Sequence, residues 1–172
     1  MTFAVFAAAA AFALIYWARF AGRDEGTQPW AGTGYKTGAT ALLAAAGTLA
    51  QAPELIITGL ALGAIGDFAL SRPGTPAFLA GMAAFAAGHL AYTWAFWTRA
   101  ADLGFTAPTP GHWAALAVLA GLVLGLGLWL SAKAGDLRLP VLGYAVIIGA
   151  MAATELILPP NAGRKDIAIG AG

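Results

Sequence analysis

Four ionisable residues interrupt otherwise apolar stretches of this sequence: Lys36, Asp67, His89 and Glu155. Placing a charged side chain at the centre of a bilayer costs about 2.5 to 3.5 kcal/mol of free energy on insertion scales. Residues of this kind are therefore first interpreted as functional. A carboxylate or a histidine can move protons or stabilise a cation, and a lysine can bind an anion. The residue types therefore predict proton transfer or ion binding in an apolar setting.

Each of these residues also has a structural explanation. Lys36 and Glu155 lie within about one turn of the end of an apolar stretch, from which a long side chain can extend to the membrane interface. His89 is compatible with a packing role in which its hydrogen bonds are satisfied. Asp67 is the hardest of the four to explain by structure alone.

The elements that carry these residues are predicted to be membrane-spanning helices. Hydrophobic residues make up 60% of the 172 and charged residues 10%, whereas a soluble domain carries about 25% charged residues. The apolar residues fall in blocks of about 17 to 21, the length at which a helix crosses a hydrocarbon core of about 30 Å. Backbone groups in such a core must be paired internally, so each block is predicted to be helical.

We therefore expect an all-α fold, a polytopic transmembrane helix bundle that forms one domain over residues 1–172. Six spans are predicted, at residues 2–18, 35–50, 55–70, 76–97, 113–132 and 139–158. Residues 166–172 are apolar and small, like the start of a seventh span, so the sequence is expected to be a fragment of a longer bundle. The excess of Lys and Arg in alternate loops favours a periplasmic N-terminus. The Ala- and Gly-rich composition favours a bacterial source, and the inner membrane is then the expected location.

Depth in the membrane can be compared between spans because successive spans are antiparallel. The start of the second span, the end of the third and the start of the fourth share one face. Lys36 lies about one residue inside this face and Asp67 about three, so the two are predicted to be able to pair. His89 lies about 13 residues into the fourth span, or about 20 Å deep, and its direct contact with Asp67 would require a kink or a tilt.

Small residues share a helical face with the polar candidates on two spans. The stripes consist of Gly59, Gly63, Gly66 and Asp67 on the third span, and of Gly81, Phe85, Gly88, His89 and Tyr92 on the fourth. Stripes of this kind permit close helix approach and predict a packing seam. A polar pocket between the two helices explains the stripes and the charges together, and both interpretations stand.

Composition argues against several classes of function. With a net charge of +1 and no basic run longer than Arg164-Lys165, a nucleic-acid partner is not expected. The absence of cysteine excludes disulfides, thiolate metal sites and a cysteine nucleophile. Two histidines, His89 and His112, are too few to predict a metal site. No nucleotide-binding, serine-hydrolase or metalloprotease motif is present, so no cofactor is predicted. Because the helices are predicted to span a membrane, membrane lipids are the expected partners.

One part of the chain resembles a known family. Gly66-Asp67-Phe68-Ala69-Leu70 is followed by Phe78-Leu79-Ala80-Gly81, then by Phe85, then by Gly88-His89-Leu90-Ala91-Tyr92. This order resembles the hallmark of the YhhN-like lysoplasmalogenase family, a G-D-x-x-L helix end followed by F-x-x-G-x-x-x-F-x-x-[AG]-H-x-x-Y. A looser resemblance covers the whole chain, because the family also has a lysine at the start of its second helix, here Lys36. That lysine is usually followed by proline, and Thr37 stands there in this sequence.

The resemblance implies a bundle of about eight helices and a lysophospholipid substrate. The implied reaction is hydrolysis of the vinyl-ether bond of lysoplasmalogens to a fatty aldehyde and a glycerophospho-base. It implies Asp67 as the general acid or as the carboxylate that stabilises the cation, with the other carboxylate in a Ser-Asp pair soon after Gly172. His89 is the second implied catalytic residue, and with Tyr92 it would orient water or the ether oxygen. Lys36 would bind the phosphate of the substrate. Tyr92 would also contact the substrate.

The residues alone are also compatible with a protein that is not an enzyme. Intramembrane charges mark ion and proton paths as readily as catalytic sites, so a small transporter fits the same four residues. No inverted repeat or pair of broken helices is visible in the sequence to support that interpretation. A purely structural bundle is the third alternative.

Overall fold

In the computed structural model, the described residues are 1–23, 27–104, 109–156 and 158. These residues form six α-helices: α1 (Thr2–Arg19), α2 (Trp30–Leu49), α3 (Glu54–Leu70), α4 (Thr75–Leu103), α5 (Pro110–Lys133) and α6 (Arg138–Leu156). A short 3-10 helix, Gly135–Leu137, precedes α6, and the described residues contain no strand. The predicted all-α fold is confirmed. The predicted start of a seventh span, residues 166–172, lies outside the described residues.

Two helices extend five or more residues beyond one of their predicted bounds. α2 begins at Trp30 rather than at Tyr35, because Pro29 supplies an extended N-cap residue with φ −63° and ψ 153° and the glycines that follow join the helix. α4 continues past Trp97 to Leu103 and ends before Gly104, which has a φ of +79°. A positive φ is readily adopted by glycine and stops a right-handed helix.

Small residues fill the interior of the molecule and large ones cover its surface. The buried hydrophobic residues of the described part of the chain are all alanines: Ala9, Ala44, Ala46, Ala64, Ala95 and Ala100. Large apolar side chains face outward instead, and Leu14, Trp17 and Ile65 are 65%, 74% and 58% exposed. A soluble protein rarely exposes so much apolar surface to water. In a lipid bilayer, apolar side chains can face the lipid while small residues let the helices approach closely. The chain is therefore an integral membrane protein.

Within the part of the chain that the structure describes, three helical segments are long and apolar enough to cross a membrane: Thr2–Arg19, Pro110–Lys133 and Gly135–Leu156. They correspond to the first, fifth and sixth predicted spans. The spanning of α2, α3 and α4 stays a prediction. These three helices carry Lys36, Asp67 and His89, so the more polar helices hold the candidate chemistry.

The chain divides into two compact units, Met1–Ala91 and Tyr92–Gly172. In the first unit, α1 packs against α2 and α2 packs against α3. The ring of Phe12 on α1 lies so close to Gly38 on α2 that a Cβ there would be 2.7 Å from the ring. Close helix contact in this unit therefore depends on small residues.

The second unit contains the α5–α6 hairpin, which turns at the 3-10 helix. Gly127 of α5 faces Ala145 of α6, and Gly149 of α6 faces Val123 of α5. The two contacts pair residues in opposite order along the chain, as antiparallel packing requires. This unit thus follows the same rule of small residues at the helix interface.

Candidate active site

Asp67 lies one turn from the C-terminal end of α3 and is buried, with 9% of the residue exposed. Its Oδ2 accepts a 2.6 Å hydrogen bond from the hydroxyl of Thr40 on α2. Its Oδ1 lies 3.7 Å from the ammonium of Lys36, which is also on α2, four residues before Thr40. The Lys36–Asp67 pair predicted from depth is thus present, and each oxygen of the carboxylate faces a donor.

The α2 side of this site is a stripe of polar residues. Thr33, Lys36, Thr37 and Thr40 are spaced i, i+3, i+4 and i+7, so their side chains share one helical face. Two of them contact Asp67, and Thr33 is only 3% exposed. Sequence reasoning found Lys36 but missed Thr40, although the helical spacing of the threonines was the available signal.

Glycines on α3 explain why Asp67 points into the bundle. The buried residues of α3 are Gly59, Gly63, Ala64, Gly66 and Asp67, which lie on one face. The ring of Phe85 on α4 fills the space beside Gly66, where a Cβ would lie 2.6 Å from Cδ2 of the ring. On the α2 side, a Cβ at Gly63 would lie 3.3 Å from Cγ2 of Thr40. The predicted packing seam therefore exists, and it brings the Thr40 side chain against the helix that carries Asp67.

The register of α3 against α4 fixes the level of His89. A Cβ at Gly81 would lie 3.2 Å from the carbonyl oxygen of Gly66, and one at Gly88 would lie 3.0 Å from that of Gly59. His89 is thus near the level of Gly59, about 12 Å along α3 from Asp67 at 1.5 Å per residue. This offset agrees with the depth predicted from the sequence.

The remaining polar candidates are His89, Tyr92 and Glu155, and the structure gives each a different environment. His89 is half-buried, and its Nδ1 lies 2.6 Å from the carbonyl oxygen of Phe85, one turn earlier on α4. Tyr92 is half-buried and belongs to the second unit. Glu155 is exposed next to the last residue of α6, which agrees with a side chain that extends to the interface.

Arg72 is a polar residue whose contacts were not predicted from the sequence. It entered the sequence analysis only as one of the loop charges used to predict the membrane orientation. It follows the end of α3, and its Nη2 donates to the carbonyl oxygen of Gln28 at 3.1 Å and to the hydroxyl of Thr33. Its guanidinium carbon lies 4.0 Å from the centroid of the Trp30 ring and 5.9 Å from that of Phe68. Arg72 therefore joins the end of α3 to the first turn of α2.

Three side-chain atoms of the described residues are buried without a hydrogen-bond partner: Gln28 Oε1, Thr37 Oγ1 and Arg72 Nε. All three belong to the loop before α2, to the polar stripe of α2 or to the end of α3. Buried polar groups in proteins are nearly always paired with protein or with water. The region where α2 begins and α3 ends thus has hydrogen-bonding capacity that the described side chains leave unused. Within the described residues, no group of three or more His, Cys, Asp or Glu is placed to hold a metal ion.

Comparison with known protein sequences bears on the family to which the chain belongs. The sequence model of the YhhN family matches residues 33–172, which include the α2 stripe, Asp67 and the α3–α4 seam. The human protein named lysoplasmalogenase TMEM86B is 40% identical to the chain over 100 residues. That match covers 57% of this chain and 38% of the human protein. No solved structure matches the chain.

The family match covers most of the chain, and it contains the motif residues that the structure groups at the α2–α3–α4 interface. The chain belongs to the YhhN family.

Proposed function

We propose that the chain is a membrane-embedded hydrolase that cleaves the vinyl-ether bond of lysoplasmalogen-type lipids. The observation that carries the proposal is the buried Asp67 carboxylate, with Thr40 on one oxygen and Lys36 near the other. Membership of the YhhN family and the similarity to a human protein named lysoplasmalogenase support the substrate class. The products are a fatty aldehyde and a glycerophospho-base.

The reaction requires an acid and one water molecule. A vinyl ether resists base, and it is cleaved after a general acid protonates its β-carbon to give an oxocarbenium ion. Water adds to the carbon next to the oxygen and loses a proton, which forms a hemiacetal. The hemiacetal then breaks its carbon–oxygen bond to the glycerol, which releases the aldehyde and leaves a glycerol hydroxyl. A nearby negative charge stabilises the cationic stage of this sequence.

The geometry favours Asp67 as the stabilising carboxylate over Asp67 as the acid. One of its oxygens faces an ammonium and the other accepts a hydrogen bond from a hydroxyl, which is the environment of an ionised carboxylate. In that form it stabilises the oxocarbenium ion and accepts the proton that water loses. The proton donor is then the second carboxyl group, which the family resemblance expects in the Ser-Asp pair of a later helix.

The other candidates take supporting roles. Lys36 supplies a positive charge beside Asp67 and approaches the phosphate of the substrate. The level of His89, about 12 Å from Asp67 along α3, suits the handling of water better than contact with the reacting carbon. Tyr92 is proposed to contact the substrate. The reaction consumes only water, so the proposal includes no cofactor.

The test is aldehyde release from lysoplasmalogen by the full-length protein in proteoliposomes. Replacement of Asp67 by Asn keeps the shape of the side chain and removes its charge, and it is expected to lower kcat at least ~100-fold, the lower range for a positioned acid–base group. Glu54→Gln is the matched control, because Glu54 is exposed at the other end of the same helix. Full activity in Asp67→Asn would refute the proposal.

The same preparation discriminates hydrolysis from transport. A transporter in proteoliposomes releases no aldehyde, whereas proton or ion flux through it would depend on Lys36 and Asp67. Aldehyde release by the wild type that is lost in Asp67→Asn excludes a purely structural bundle. Unchanged lipid together with an Asp67-dependent flux would establish the transporter.

A further inference from the structure

Arg72 is held in a fixed orientation close to the candidate active site. Its Nη2 donates to Gln28 O and to the hydroxyl of Thr33, and one face of the guanidinium lies against the ring of Trp30 at 4.0 Å. Trp30 itself is 71% exposed, so the stack is at the surface of the first unit. A cation that is already ordered loses little side-chain entropy when it binds a ligand.

Arg72 and Lys36 differ in the charged partners that the described residues give them. No carboxylate of the described residues forms an ion pair with Arg72, and its Nε is buried without a partner. Lys36, in contrast, has the Asp67 carboxylate at 3.7 Å. A buried donor left unpaired costs about 1–3 kcal/mol, so an anion that reaches Nε gains from removing that cost.

Two neighbouring features fit the same type of ligand. Arg72 lies at the N-terminal end of α2, where no side chain caps the first turn and the helix dipole favours an anion. Gln28, only 4% exposed, uses its amide nitrogen for the carbonyl oxygens of Phe20 and Arg23, but its Oε1 has no donor. The place therefore offers donors to an anion and an acceptor to a hydroxyl. A lysophospholipid carries both a phosphate and a free glycerol hydroxyl.

The spacing also fits. The Arg72 guanidinium is at the level of Thr33 and the Asp67 carboxylate is at the level of Thr40, about 10 Å apart along α2 at 1.5 Å per residue. In a lysoplasmalogen, the chain from the vinyl-ether carbon to phosphorus extends about 7 Å at ordinary bond lengths. Contact distances of about 3 Å at each end let one lipid reach both residues.

We propose that Arg72 is the principal anchor for the phosphate ester of a lysophospholipid, with Thr33 and Gln28 holding its guanidinium in place. This rests on the proposed function for the choice of lipid, and it adds a phosphate-binding residue to Lys36. The reacting vinyl ether is then brought to Asp67, because the glycerol backbone spans the distance between the two residues.

The experiment measures binding without turnover. The full-length protein in nanodiscs is incubated with radiolabelled 1-O-alkyl-lysophosphocholine, a saturated ether that has no vinyl-ether bond to cleave, and protein-free nanodiscs give the blank. Unlabelled 1-O-alkyl-lysophosphocholine, 1-O-alkylglycerol with the same chain and inorganic phosphate are the competitors. For the wild type, the alkylglycerol is expected to compete at least ~10-fold more weakly than the lysophosphocholine, which equals about 1.4 kcal/mol.

Arg72→Gln is expected to weaken binding of the labelled lipid at least ~10-fold and to remove the preference for the phosphate compound. Lys133→Gln is the matched control, because Lys133 also stacks on a tryptophan, at 3.9 Å from the Trp129 ring, but lies at the end of α5. That variant is expected to keep both affinity and preference. Because Arg72 joins α2 to α3, the melting temperature of each variant is measured alongside.

Three results would overturn the proposal: unchanged lipid preference in Arg72→Gln, loss of the preference in Lys36→Gln alone, or competition by inorganic phosphate as strong as that by the lipid. The last would mean a site for free phosphate. If Arg72→Gln does not fold, Arg72→Lys replaces it, because a lysine cannot bond to Gln28, Thr33 and a phosphate together in the planar arrangement of a guanidinium. A folded Arg72→Lys with full preference would equally overturn the proposal.

Failure of this proposal is separable from failure of the hydrolase proposal. Phosphate-selective binding that depends on Arg72, without aldehyde release from lysoplasmalogen, supports the anchor and refutes the hydrolase. Aldehyde release by wild type, with binding independent of Arg72, refutes the anchor and supports the hydrolase.

Discussion

Asp67 is held by partners on another helix, and Thr40 is the more direct of them. The Thr40 hydroxyl lies 2.6 Å from Oδ2, whereas the Lys36 ammonium lies 3.7 Å from Oδ1. The first is a hydrogen bond to a charged group, which contributes about 1.5–3 kcal/mol, and the second is a longer ion pair. Thr40 therefore fixes the orientation of the carboxylate, and Lys36 supplies the opposite charge.

Replacement of Thr40 by Val should test this division of roles. The variant keeps the β-branched shape but removes the donor, and it is expected to lower the free energy of unfolding by about 1–3 kcal/mol. Aldehyde release should fall as well, and Thr40→Ser should recover most of both losses because it restores the hydroxyl. Chemical denaturation in detergent and initial rates of aldehyde release measure the two effects.

Thr37→Val is the matched control on the same face of α2. Its hydroxyl is buried without a partner, so removing it should leave the free energy of unfolding unchanged or raise it. A Thr40→Val variant as stable and as active as Thr37→Val would contradict a positioning role for Thr40.

At the scale of the helices, the site depends on how closely α4 approaches α3. The contacts between them run through glycines at two levels, Gly81 against Gly66 and Gly88 against Gly59. At Gly88 the nearest atom is a backbone carbonyl oxygen, which has no rotamer with which to move aside. The spacing of α3 and α4, and with it the level of His89, is therefore set by the absence of a side chain at Gly88.

Gly88→Ala is predicted to destabilise the protein by about 1–3 kcal/mol, because the new Cβ would lie 3.0 Å from the carbonyl oxygen of Gly59. Gly34→Ala on α2 is the control, since nothing lies within 4 Å of its Cβ position. It should be neutral or slightly stabilising, because alanine favours a helix by up to about 1 kcal/mol over glycine. Denaturant midpoints of the two variants in detergent provide the comparison, and equal midpoints would show that the seam is loosely packed.

At the scale of the whole molecule, the described helices present large apolar side chains outward and small ones inward. This arrangement gives no direction across the membrane, so orientation depends on the loop charges. The Lys and Arg distribution predicts a periplasmic N-terminus. Arg72 and the Lys36–Asp67 pair would then lie toward the cytoplasmic face of the membrane.

The absence of cysteine from the sequence makes this orientation directly measurable. Arg23→Cys in the loop after α1 and Ala101→Cys in the last turn of α4 each introduce one thiol at an exposed position. The predicted topology places these two positions on opposite sides of the membrane. In intact cells, a membrane-impermeant maleimide is expected to label Ala101→Cys and to leave Arg23→Cys unlabelled until the membrane is permeabilised. The reverse pattern would invert the topology.

The sequence by itself determined the class of the fold and the central pair of the site. Hydropathy blocks and helix-breaking residues are local properties, so the helices could be predicted, apart from the first turns of α2 and α5 and the last turns of α4. The pairing of Lys36 with Asp67 followed from depth alone, since antiparallel spans place both near one face.

Only the tertiary structure decided which side chains complete the site. Thr40 meets Asp67 across 27 residues of sequence and Arg72 meets Thr33 across 39. Both contacts depend on the rotation of α2 about its axis, and Arg72 also depends on the path of the chain after α3. Depth along a span does not encode rotation, because rotation is set by how the glycine face of α3 packs against its neighbours. The sequence therefore placed the charges, and helix packing selected the partners that orient them.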